Sequence, residues 1–176
     1  MHRRTYLAGA VTAIAATAGC SSLSGSSDEP GNGGGDGAST EESVSLHRDD
    51  PDASGAQTLR VPVSEAIAGQ TLGAVSATYP RDRFVVDSAS HDAITVGVDR
   101  TGDGSLDEEF GSDAISGANN NEYSFTVSMD TEYELRQGDV VALEYPAVRN
   151  PDESDEYEVT VGLNDQQEAT TSVVIE

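Results

Sequence analysis

The run Asp99-Arg100-Thr101-Gly102-Asp103-Gly104-Ser105-Leu106-Asp107-Glu108-Glu109 places an oxygen-bearing residue at every second position. That spacing suits a hard cation. Calcium takes about six to eight oxygen ligands and needs a sharp turn so that alternate residues can face one point. Asp99, Thr101 and Asp103 supply side-chain oxygens, Gly104 the turn, and the Ser105 carbonyl and Asp107 complete a candidate calcium shell. The same residues also describe a plain acidic hairpin loop in an acidic chain, and the two readings stand side by side.

The loop resembles the calcium loops of dockerin-like and other Asp-Gly-Asp-Gly repeats. It departs from an EF-hand at position twelve, which is Phe110 rather than a bidentate Glu, and it occurs once. Other chemistry is sparse. His2, His47 and His91 are scattered, Cys20 is the single cysteine, and no G-x-S-x-G elbow, H-E-x-x-H helix or phosphate loop occurs. A blue-copper centre needs one Cys with two His ligands, and the single cysteine, Cys20, reads as the attachment point of a lipid instead. Paired acids such as Glu108-Glu109 imitate a glycosidase dyad, but such pairs arise by chance in this composition. The expectation is a chain without catalytic residues.

That composition is extreme: 32 acidic residues against 9 basic ones, a formal net charge of -23, and every basic residue an Arg. Acidic excess with Lys absent resembles the proteins of halophiles, haloarchaea among them, which work in molar salt. Carboxylates hold water when water is scarce, and their repulsion is bearable under a Debye length of about 3 Å at 1 M salt. Nucleic acid is excluded as a partner, because no basic patch exists to displace counterions from phosphates.

The first twenty residues read as an address. Arg3-Arg4-Thr5-Tyr6-Leu7 precedes an uncharged, Ala-rich stretch to Ala18 that ends at Thr17-Ala18-Gly19-Cys20. The stretch falls short of the roughly 20 residues that span a bilayer core and suits a signal peptide. Its Arg pair resembles a twin-arginine export signal, and the small residues before Cys20 resemble a lipobox. The resemblance implies cleavage after residue 19, a lipid on the Cys20 thiol, and a protein tethered to the extracellular face of the cell membrane. A lone Cys also rules out an internal disulfide. Residues 20–56, rich in Ser, Gly, Asp, Glu and Pro and free of apolar period, read as a flexible linker.

Residues 57–176 change character. Apolar residues recur at period two: Leu59, Val61 and Val63; Ile94, Val96 and Val98; Tyr123, Phe125, Val127 and Met129; Val141, Leu143 and Tyr145; Tyr157, Val159, Val161 and Leu163. Further strands are expected at 71–79, 84–87 and 171–175, with turns at Asp82-Arg83, Asn119-Asn120-Asn121, Gln137-Gly138-Asp139 and Asn150-Pro151. Seven to eight short strands in about 120 residues predict an all-β, antiparallel sandwich. Asp155-Glu156-Tyr157-Glu158-Val159 resembles the start of strand F in immunoglobulin-like domains, with Val159 where antibody domains carry a Cys. The chain therefore reads as a non-catalytic, lipid-anchored, immunoglobulin-like module that binds an envelope protein or glycan. The alternative is a solute- or glycan-binding lipoprotein serving a transporter or hydrolase.

Overall fold

The computed structural model describes residues 42–176. The signal peptide, Cys20 and most of the expected linker lie outside them. Eleven strands follow in chain order: β1 (Ser43–Leu46), β2 (Ser54–Pro62), β3 (Ala74–Thr78), β4 (Val85–Val86), β5 (Thr95–Asp99), β6 (Glu108–Phe110), β7 (Ile115–Asn121), β8 (Ser124–Met129), β9 (Val140–Arg149), β10 (Glu156–Leu163) and β11 (Gln167–Val174). One sheet runs β1-β2-β9-β5-β6, with β4 beside the end of β9; the other runs β11-β10-β3-β8-β7. Every pairing is antiparallel.

Strand alternation builds the core. Leu59, Val61, Val96, Val98, Val141 and Leu143 of one sheet, and Val75, Phe125, Val127, Val159 and Val161 of the other, are at most 1% exposed. Each such side chain contributes roughly 1.5–3 kcal/mol by leaving water. Aromatic rings gather toward one end of this core: Phe125 stacks on Tyr145 at 4.0 Å, and Phe84 meets Tyr157 edge-on at 5.5 Å. Gln57 enters the core among them and accepts a hydrogen bond from the Tyr79 hydroxyl at 2.8 Å.

The immunoglobulin-like character is explicit at the corner before β10. There the Tyr157 hydroxyl donates to the Glu153 carbonyl at 2.9 Å, the local tie that defines a tyrosine corner. Val159, two residues on, is fully buried in the expected cysteine position.

Three details differ from the sequence reading. The sandwich begins at Ser43, not at 57, because the short alternation Val44-Leu46 is enough to lay β1 along β2, with Val44 opposite Leu59. The strands number eleven, since β1, β6 and β7 carry weak apolar periods yet complete the sheet edges. And Asn119-Asn120-Asn121 is strand, not turn. Asn120 donates to the Val86 carbonyl at 2.9 Å and accepts from Ser88, which holds β7 in place and moves the hairpin to Glu122-Tyr123.

Register fixes two poles. Arg60, Asp99 and Val140 lie toward one end, as does Ser43, opposite Arg60. Ser54 and Val85 flank Arg149, each paired with it, at the other end. The β5–β6 loop opens at the first pole; the β1–β2, β3–β4, β7–β8 and β9–β10 connections gather at the second.

Candidate functional site

Of the expected calcium ligands, Asp99 is the deepest. It closes β5 with its carboxylate on the outer side of the sheet, yet is 0% exposed, because the following loop folds back over it. Gly102 and Gly104 allow this with φ of 72° and 94°, a left-handed backbone that favours glycine. Asp99 Oδ1 accepts the backbone N–H groups of Thr101 at 3.1 Å and Gly102 at 2.6 Å; Oδ2 accepts that of Gly104 at 2.8 Å and the Arg60 guanidinium at 2.5 Å. Burial pushes the Asp99 carboxyl up, but these donors outweigh it and hold it at about 2, with Gly104 and Arg60 foremost.

Among the other expected ligands, Thr101 turns its hydroxyl to Asp99 Oδ1 at 3.4 Å, whereas the two acids accept backbone N–H groups. Asp103 accepts the Ser105 N–H at 2.9 Å and Asp107 the Arg100 N–H at 2.7 Å, while Thr101 and Ser105 are exposed. Glu108 and Glu109 belong to β6, so the segment is a β-hairpin. Among the described residues no three His, Cys, Asp or Glu side chains are grouped to hold a metal ion. The loop brings the five expected ligands into one turn, and Asp99 takes its positive charge from Arg60.

Beside the hairpin, Arg100 pairs with Glu108 and lies 5.6 Å from the Tyr133 ring centre. The Tyr133 hydroxyl donates to Asp139 at 2.7 Å, and Asp139 also accepts the Arg136 N–H at 3.0 Å. Burial, then this bond, raises the Tyr133 hydroxyl above its ordinary range. The group ties the β8–β9 loop to the hairpin and holds no activated nucleophile. His47 and His91 stand apart: His47 meets Glu144 at 3.5 Å, and His91 sits in a single 3-10 turn.

The opposite pole carries a cleft of about 560 Å³ that the sequence reading missed. Arg81, Arg83 and Arg149 line it together with Tyr123, Asn150 and four acids, Asp52, Asp82, Glu122 and Asp152. Arg81 donates to the Tyr123 hydroxyl at 2.5 Å and lies 4.3 Å over its ring, and Arg83 pairs with Glu153. Asp82-Arg83 and Asn150-Pro151 read from sequence as turn signals alone. The available signal was scarcity: with nine arginines and no lysine in the chain, Arg81, Arg83 and Arg149 fall beside predicted turns.

No protein-family model matches the chain, and no curated protein matches it. Solved structures resemble it at low identity. The bacterial hydrophobin BslA is 12% identical with a TM-score of 0.43 over 77% of this chain and 95% of its own. An uncharacterised Nocardia farcinica protein with an immunoglobulin-like fold is 17% identical, TM-score 0.36, over 75% of this chain and 83% of its own. The collagen-binding domain of the Erysipelothrix rhusiopathiae surface protein RspB is 16% identical, TM-score 0.40, over 68% of this chain. The chain spans 41% of that last structure, and 43% of a DUF4466 family protein from Parabacteroides merdae. At these identities the likeness concerns the fold.

Proposed function

We propose that the protein is a non-catalytic binding module, exported through a twin-arginine signal and held at the outer face of the membrane by a lipid on Cys20. The observation that carries the reading is the contrast between its two kinds of polar site. At the hairpin and the β8–β9 loop, polar side chains are turned to other protein groups, as Asp99 and Tyr133 show. At the far pole, Arg81 and Arg83 are held by Tyr123 and Glu153, but Arg149 stands exposed beside acids at an open cleft. The first arrangement maintains a fold; the second suits recognition. Ser43 enters the sandwich at the pole away from the cleft, so the N-terminal entry of the described residues does not cover it.

Two measurements test this. Cys20→Ser should move the protein from the membrane to the soluble fraction of the cells, and a variant that stays membrane-bound defeats the anchor. Crosslinking on intact cells, with the mature protein as bait, should recover an envelope protein or glycan. Recovery of nothing beyond an unrelated acidic control protein defeats the binding role.

A further inference from the structure

The geometry points to the Arg81–Arg83–Arg149 cleft as a binding site for a carboxylate-bearing sugar, the repeating unit of an acidic glycan. The inference rests on the binding-module reading and gives it a site and a ligand class.

Charge economy is the first support. Seven arginines lie in the described residues of a chain whose formal charge is -23, and three of them line this one cleft. Arg81 is laid over Tyr123 and Arg83 is held by Glu153, so both are oriented. Arg149 is exposed, and among the described residues its guanidinium has neither a hydrogen-bond nor an ion-pair partner. A free guanidinium fork matches a carboxylate through two parallel N–H donors.

The acids decide what carries that carboxylate. Asp52, Asp82, Glu122 and Asp152 line the cleft together with the arginines. A sulfated chain, with more than one charge on each sugar, would crowd its anions against these four negative groups. A neutral sugar would leave Arg149 unmatched. A uronic acid offers one carboxylate for Arg149 and several hydroxyl donors for the acids, which are acceptors only when ionised. The volume of about 560 Å³ lies within the roughly 300–1,000 Å³ of small-molecule sites.

The test is titration calorimetry on the full chain in detergent, at fixed KCl, with three probes: trigalacturonic acid, its methyl ester, and triglutamate. Trigalacturonic acid should bind, and the methyl ester at least ~10-fold more weakly, a loss of about 1.4 kcal/mol. Arg149→Gln should weaken the acid by a similar factor without moving the melting temperature, whereas Arg136→Gln at the other pole should not. Absence of binding, equal binding of acid and ester, or an unchanged affinity in Arg149→Gln overturns the site. Preference for triglutamate overturns the glycan class and leaves the binding-module reading standing, which only the capture experiment on cells can defeat.

Discussion

Arg60 and Asp99 meet at 2.5 Å although their strands, β2 and β5, are separated by β9. Register explains how. Arg60 lies opposite Ala142, and Ala142 opposite Gly97, so the arginine crosses the sheet over a track of small residues. Ala142 and Val140, buried on this outer side, form a patch apart from the main core. The pair thus joins three strands and the hairpin loop above them.

Removing the acid should therefore be costly. Asp99→Ala orphans the N–H groups of Thr101, Gly102 and Gly104 and strips Arg60 of its partner. Breaking a buried pair in this way costs about 3–5 kcal/mol. Arg60→Gln should cost less, since the three N–H groups still hold the carboxylate. Denaturant unfolding of both variants checks the order, and equal losses would contradict it.

The same site should leave a mark in acid. The Asp99 carboxyl lies at about 2 in the folded protein against an ordinary 3.8. A depressed value contributes stability that is complete above 3.8 and is lost as pH falls toward 2. A shift of this size is worth on the order of 2 kcal/mol. Other carboxylates repel less as they protonate, so the readout is the difference between wild type and Asp99→Asn. That difference should shrink between pH 4 and pH 2, and a constant gap would show that Asp99 does not carry it.

Gly97 should tolerate no side chain. A Cβ there would come within 2.7 Å of Leu106 Cδ1 and of the Glu108 carbonyl oxygen. Gly97→Ala is expected to cost roughly 1–3 kcal/mol. Adding Leu106→Ala should return part of the loss, because the side chain can be removed and the backbone carbonyl cannot. Full recovery in the double variant would place the strain elsewhere.

Much of this was legible in the sequence for a plain reason. Period-two alternation in 94–98, 141–145 and 157–163 reports the inner face directly, and Tyr157 marked its own corner. What escaped was set by partners far along the chain. The Ser43–Leu46 strand depends on the β2 edge, and the strand at Asn119–Asn121 on a carbonyl of β4. Spacing showed that Asp99, Thr101 and Asp103 share a loop. It could not show that Arg60, thirty-nine residues earlier, supplies the charge. The arginine cleft escaped likewise, since its lining comes from four separate connections.

Salt should govern stability. Among the described residues three arginine–carboxylate ion pairs form, through Arg60, Arg83 and Arg100. With 32 acids in the chain, most carboxylates have no counter-charge. Their repulsion in dilute buffer competes with a net stability of about 5–15 kcal/mol, and molar salt screens it. Thermal melting from molar KCl to dilute buffer should show a steep fall, and a flat profile would overturn the expectation of a halophilic protein.

Calcium and Arg60 would compete for the same carboxylate, that of Asp99. Asp99 is the most buried of the five expected ligands, and a cation at its carboxylate must displace a guanidinium 2.5 Å away. In the wild type, melting temperatures in calcium and in chelator should therefore coincide at fixed KCl. Arg60→Gln removes the competing charge while the loop keeps Asp99, Asp103 and Asp107. Calcium should then stabilise the variant by RT ln(1 + [L]/Kd), about 2.7 kcal/mol at a hundredfold excess over Kd. Magnesium should substitute poorly, because it demands a tighter octahedron than a flexible oxygen loop offers. A calcium-dependent rise in the wild type, abolished by Asp103→Ala, would instead show that the ion wins Asp99 from Arg60. No response in either protein would leave Asp99 a latch for the hairpin and nothing more.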